Sequence, residues 1–87
     1  MKSQTTSAFR KLFLKLPNEI QKLAKKSYTL WVNDPSHPSL HFKKIGELYS
    51  VRIADKWRVL GFFQNDTYIW FWIGSHEDYN QLLKQKK

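Results

Sequence analysis

The apolar residues of this chain change their spacing once, and the change falls at a single loop. Before Asn33-Asp34-Pro35-Ser36-His37-Pro38-Ser39 they recur every third or fourth position, and after it they alternate. That is a switch from the helical period of about 3.6 residues to the strand period of about 2. A chain with helices first and a run of strands after them belongs to the α+β class, with its helices laid on an antiparallel sheet. At 87 residues there is room for one such pair of layers and no second core, since domains run to roughly 100–150 residues. Residues 1–87 are therefore read as a single domain, with 84–87 a basic tail expected to fray.

In the helical half, Phe9, Leu12, Phe13 and Leu16 form one stripe with Arg10, Lys11 and Lys15 opposite. Pro17 punctuates the chain and suits the first turn of a second helix. There Ile20, Leu23, Ala24, Ser27 or Tyr28, and Trp31 share a face, Lys22, Lys25 and Lys26 point to water, and Pro35 enforces the stop. The expectation is a helical hairpin packed on the sheet.

Four strands are expected: His41–Ile45, Leu48–Ala54, Trp57–Phe63 and Tyr68–Gly74. Asn65-Asp66 is a good two-residue hairpin turn and Asp55-Lys56 a weaker one. If both turns are tight, Tyr49, Val51, Ile53, Leu60, Phe62, Ile69, Phe71 and Ile73 face the helices, with Arg58 at the end of the same side. Ser50, Arg52, Val59, Phe63, Tyr68, Trp70 and Trp72 then fall on the other side; a slip of one residue reverses such an assignment. Ser75 can cap a short final helix whose first turn holds Glu77 and Asp78, with Tyr79, Leu82 and Leu83 as its apolar stripe.

The charge bounds the partners. Fifteen Lys and Arg against seven Asp and Glu leave a net +8, a field that recruits polyanions: nucleic acid, an anionic membrane or an acidic protein. With no cysteine, disulfides and thiolate metal sites are excluded. No apolar run approaches the ~18–20 residues of a membrane span, and Met1–Thr6 leads into no signal-like apolar core. The chain reads as a small, soluble, cytoplasmic protein with no membrane role, and no cluster of carboxylates and histidines has metal-ligand spacing. No metal or cofactor is expected.

Three local stretches, in this order, add a resemblance: Tyr49-Ser50-Val51-Arg52-Ile53, Trp57-Arg58-Val59-Leu60 and Ile73-Gly74-Ser75-His76-Glu77-Asp78-Tyr79. With the element order, they resemble the RelE/ParE superfamily of bacterial toxin–antitoxin toxins, particularly the HigB-like branch, over nearly the whole chain. The resemblance implies a compact toxin held inactive by a cognate antitoxin. RelE and HigB members cut mRNA in the ribosome, whereas ParE members poison DNA gyrase. In the family's central hairpin the second arginine, here Arg58, recurs as a catalytic or phosphate-binding position. The chain departs from the RelE pattern in lacking its basic cluster and tyrosine near the C-terminus.

RNA cleavage without a metal needs a group to take the 2′-hydroxyl proton, one to stabilise charge on the phosphate, and one to protonate the leaving oxygen. Arg58 suits the phosphate, because a guanidinium donates two parallel hydrogen bonds; its alternative is a structural pairing with Glu47 or Asp55. His76 offers an imidazole, the side chain best suited to proton transfer near neutral pH, or it is a structural histidine in a helix's first turn. Tyr79 lies on the same helix face and can stack a base, donate a proton or pack. Lys43, Lys44, Arg52 and His41 are the expected RNA-binding residues, with ordinary solvated surface the alternative for each; the resemblance implies that the strand of Lys43 and Lys44 borders the RNA groove. Trp70, Trp72 and Phe63 are expected to anchor the antitoxin, or else to stack unpaired bases. The expected function is a metal-independent, ribosome-dependent mRNA endoribonuclease that inhibits translation. Its partners are the antitoxin and ribosome-bound mRNA, with a homodimer or a hetero-oligomer with the antitoxin both open. The alternatives are a gyrase inhibitor that acts by binding and a decayed, non-catalytic RNA-binding module.

Overall fold

A computed structural model describes residues 2–85. In chain order it contains β1 (Lys2–Thr5), α1 (Ser7–Leu14), α2 (Asn18–Asn33), a 3₁₀ turn (Pro38–Leu40), β2 (Lys43–Ile45), β3 (Leu48–Ala54), β4 (Trp57–Gln64), β5 (Thr67–Ser75) and α3 (His76–Gln85). Thr6 caps α1, its hydroxyl accepting from the Phe9 N–H at 3.1 Å. Pro17 sits just before α2, as expected of a residue whose missing N–H costs a helix start nothing. The loop that follows α2 leads to Leu40, which is fully buried. The expected fraying falls on a stretch where α3 runs to Gln85, and residues 86–87 lie outside the described residues.

The sheet has five strands in the order β1-β5-β4-β3-β2. All neighbours are antiparallel except β1, which runs parallel to β5 through Lys2↔Thr67 to Thr5↔Trp70. The four expected strands are all present, and β1 adds a fifth. Met1–Thr6 carries no apolar alternation, and β1 exists because the edge of β5 offers it a hydrogen-bonding template. The Asn65-Asp66 turn is as expected: Gln64 pairs with Thr67 across it, and both turn residues have positive φ, 52° and 59°.

Two bulges decide which side chains face the helices. In the β3–β4 hairpin Ala54 pairs with Trp57, but the next pair is Arg52↔Arg58, leaving Ile53 as an extra residue. In the β4–β5 hairpin Gly61 pairs with Trp70 and Leu60 with Trp72, leaving Phe71 extra. Each bulge shifts the alternation by one residue. Tyr49 and Val51 face the helices as expected. On β4, however, the helix-facing residue is Val59 and not Leu60, and Arg58 moves to the opposite face. Trp70 and Ile73 face the helices, whereas Trp72, expected on the same side as Trp70, faces away.

The core lies between the helices and this inner face. Trp31, Leu40, Val51 and Trp70 form it, with Phe9, Leu30, Phe42, Tyr49, Val59 and Tyr68 packed around them. The Trp31 ring meets Tyr68, Trp70 and Phe42 edge-on at centroid distances of 5.1, 5.2 and 5.8 Å, contacts worth about 0.5–1.5 kcal/mol each beyond their buried area. Gly61 is part of this packing. A Cβ there would run into the Trp70 indole and come within 2.8 Å of the Ile69 carbonyl oxygen, so only glycine lets the indole lie across β4.

Candidate functional site

The outer face of the sheet, away from α1 and α2, carries Arg58 and is capped by α3. Arg58 stands between two different neighbours. On β3 it faces Arg52, and on β5 it faces Gly74. Gly74 has no side chain to spare: a Cβ there would lie 2.6 Å from the Trp72 indole, which is laid across it. Trp72 in turn packs against Tyr79 of α3, ring centroids 6.5 Å apart.

Two hydrogen bonds at its N-terminal turn hold α3 here. The Ser75 hydroxyl accepts from the Asp78 N–H at 3.2 Å, the cap expected from the sequence. The His76 N–H donates to the Lys56 carbonyl at 2.6 Å, fixing the first turn of α3 against the β3–β4 turn. The helix thereby sets Tyr79 over the sheet, with the Arg58 guanidinium 5.6 Å and the His76 ring 6.0 Å from its ring centroid. Tyr79 is only 4% exposed.

This patch is rich in polar atoms that the protein leaves unmatched. Arg58 Nε and Nη1, His76 Nδ1, the Tyr79 hydroxyl and the Ser50 hydroxyl are all buried without a hydrogen-bond partner. Ser50 lies on the same face, two residues before Arg52. Native proteins pair nearly all such groups, and each one left unmade costs about 1–3 kcal/mol. Most are donors, so the complement they lack is a set of acceptor oxygens. The pairing of Arg52 with Arg58 adds like charge on neighbouring strands, which is destabilising without a counter-charge.

The counter-charge goes to only one of them. Asp55 forms an ion pair with Arg52, whose Nη1 also lies 3.2 Å from His41 Nε2. No carboxylate pairs with Arg58 among the described residues. The expected alternative partners of Arg58, Glu47 and Asp55, are thus not its partners. Lys43 and Lys44 are exposed on β2 at the sheet edge, with Lys43 opposite Ser50 on this outer face and Lys44 opposite Tyr49.

The three residues expected to anchor the antitoxin do not share a surface. Trp70 is 4% exposed and sits in the core against Trp31. Trp72 is on the outer face under Tyr79, and Phe63 is 47% exposed at the far end of β4 against Tyr68. The bulge at Phe71 separates the two tryptophans, and no local pattern announces it. Sequence reasoning passed over Ser50 as a site residue and found its neighbours Arg52 and Arg58. Its signal is a small polar residue inside an otherwise apolar, fully buried strand position. Among the described residues no three His, Asp or Glu side chains gather to hold a metal ion, and no helix is long and apolar enough to cross a membrane.

A profile of the ParE-like toxin domain family matches residues 18–81, which include β3, β4 and His76. The chain belongs to the ParE-like toxin domain family. No curated protein matches it in sequence. The fold is similar to a chain of the RelB–RelE antitoxin–toxin complex from Methanococcus jannaschii, with TM-score 0.70 and 21% identity over 90% of this chain and 95% of that one. YafQ from E. coli is similar at TM-score 0.70 and 13% identity, over 90% and 96% of the two chains. The isolated E. coli RelE toxin gives TM-score 0.63 and 13% identity over 99% and 98%. The α+β architecture is therefore that of RelE-like toxins.

Proposed function

We propose that this chain is the toxin of a type II toxin–antitoxin pair, of the HigB-like branch, and that it cleaves mRNA on the ribosome without a metal. One observation carries the reading: Arg58 is half-buried with two unpartnered guanidinium nitrogens, beside the unpartnered His76 and Tyr79 and opposite a second arginine. The remaining guanidinium nitrogen is not among those closed off, and a phosphodiester that meets it there supplies an acceptor oxygen and the missing negative charge together. In this reaction the RNA 2′-oxygen bonds to phosphorus while the bond from phosphorus to the 5′-oxygen breaks. Arg58 stabilises the charge that builds on the phosphate, and its approach is fixed by the Tyr79 ring. His76 takes the proton from the 2′-hydroxyl and solvent water supplies one to the leaving 5′-oxygen, so the products are a 2′,3′-cyclic phosphate and a 5′-hydroxyl. Arg52, Lys43, Lys44 and His41 border the path of the strand.

The antitoxin belongs on the opposite side of the molecule. Between α1, α2 and the sheet is a cavity of about 320 Å³, floored by Trp70, Val51, Val59 and Ile73 and walled by Phe9 and Phe13. Leu14, 73% exposed, and Leu23, Tyr28 and Val32 leave further apolar surface on the two helices. An acidic segment with apolar anchors complements both this cavity and the net +8 charge. Trp70 then takes part from the cavity floor. Antitoxin and mRNA both place the protein in the cytoplasm.

The family match under a ParE-like heading favours a second reading, a gyrase inhibitor that binds and does no chemistry. Induction without the antitoxin, followed by mapping of mRNA 5′ ends and assay of DNA supercoiling, separates the two. The nuclease reading expects new 5′ ends, which Arg58→Ala abolishes, with supercoiling intact throughout. Intact mRNA with altered supercoiling overturns it.

A further inference from the structure

We propose that the open hollow at the end of the sheet, where the outer face turns over its edge at the β2–β3 turn, is a subsite for one unpaired nucleobase, next to the phosphate held at Arg58. The inference rests on the RNA-cleaving reading above. The hollow, about 700 Å³, is lined by Lys44, Glu47, Leu48, Phe62, Gln64 and Phe71 together with Tyr49 and Phe63. The Phe62 and Phe71 rings lie 5.9 Å apart at 40°, half-buried and outside the core cluster. Neither is used by the phosphate site.

Three observations point to a base as the occupant. The first is position. Alternation along β4 puts Phe62 on the same face as Leu60 and Arg58, and four residues of strand place it about 13 Å from Arg58. That is the reach of a neighbouring nucleotide and not of the scissile one. The second is the route between the two points. Ser50 and Leu60, which lie between, are fully buried, so a strand leaving Arg58 passes along the β2 edge. Lys43 stands on that edge opposite Ser50, and Lys44 lines the hollow itself.

The third is the chemistry of the lining. The aromatic rings offer a stacking surface, the Glu47 carboxylate accepts hydrogen bonds, and the Gln64 amide both donates and accepts. A nucleobase uses all of these at once, its face against the rings and its edge against the polar groups. An apolar protein side chain would leave Lys44, Glu47 and Gln64 facing it unmatched. An acidic antitoxin segment would meet the Glu47 carboxylate, and the cavity between the helices and the sheet fits it better. Glu47 and Gln64 favour bases whose edges present N–H donors.

The test uses the full chain and a short, fluorescein-labelled, single-stranded RNA whose scissile nucleotide lacks its 2′-hydroxyl. An abasic spacer is moved along the strand and binding is read by fluorescence anisotropy. We expect an abasic spacer at one flanking position to weaken binding between about 5-fold and 150-fold, the range that one stacked base carries. In Phe71→Ala, binding weakens by a similar factor and the position of the spacer no longer matters. Glu47→Gln, a change at an exposed turn position, alters the preference among bases while leaving the thermal melt in place, so the test survives if Phe71→Ala unfolds. A spacer series with no sensitive position, or a folded Phe71→Ala that binds RNA like the wild type, overturns the subsite. So does a Phe71→Ala variant that loses only a protein partner. If RNA binds with this Phe71 dependence and no RNA is ever cut, the nuclease reading fails and the subsite stands.

Discussion

Replacing Arg58 by methionine should make the protein more stable while removing its activity. Two Arg58 nitrogens are buried without partners, and at about 1–3 kcal/mol for each unmade hydrogen bond the upper bound on their cost is about 2–6 kcal/mol. The guanidinium is only half-buried, so part of it reaches water and the low end applies. Against this stands its contact with the Tyr79 ring, about 0.5–1 kcal/mol at such a site. Methionine keeps an unbranched apolar stem against Trp72 and Tyr79, and it removes the like charge opposite Arg52. The balance is a gain of about 1–2 kcal/mol. For a domain of this size that raises Tm by about 4–16 °C, at about 4–8 °C per kcal/mol. Thermal melts followed by circular dichroism, in a buffer free of phosphate, measure the difference directly. Repeating them with a non-cleavable RNA adds a second arm. At a hundredfold excess over Kd the ligand stabilises the wild type by about 2.7 kcal/mol, and the variant should gain far less. A variant that melts below the wild type, or that RNA stabilises equally, shows Arg58 to be a structural residue and refutes the phosphate reading.

Two further outcomes follow from the core. Gly61→Ala should cost about 1–3 kcal/mol in urea denaturation, because its Cβ collides with the Trp70 indole and the Ile69 carbonyl; unchanged stability would show that β4 and Trp70 are not packed as described. Tyr68 ionises above its ordinary value of 10.0, first because burial disfavours the phenolate and then because Tyr49 lies beside it. The fold therefore binds that proton more tightly than the unfolded chain does. Its contribution is fully present below pH ~10 and is lost as pH rises through the raised value. Tyr68→Phe should flatten this alkaline loss in denaturation curves taken at rising pH, and an identical pH profile in the variant counts against a half-buried, neutral Tyr68.

Stability and function pull apart at the outer face. Unmatched donors under α3 are a cost that an apolar core would not carry, and they gather where Arg58 and His76 come together. The inner face shows the opposite economy. There the aromatic rings interlock around Trp31, and the space that remains is an apolar cavity open toward the two helices.

Much of this molecule was legible in its residues alone. The change of period at the Asn33–Ser39 loop separates helices from strands, Asn65-Asp66 makes the β4–β5 turn, and Ser75 caps α3, because each depends on contacts within a few residues. The same locality brings His76 and Tyr79 to one helix face. What local patterning does not encode is register. The extra residues at Ile53 and Phe71 reverse the faces beyond them, so Arg58 lies under α3 and not under the hairpin, and Trp70 parts from Trp72. β1 is the same case: Lys2–Thr5 becomes a strand only because the β5 edge is there to pair with it. Periodicity determined which segments became helix or strand. Only the pairing of distant backbones decided which side of the sheet each side chain occupies, and thereby brought the arginine, the histidine and the tyrosine together.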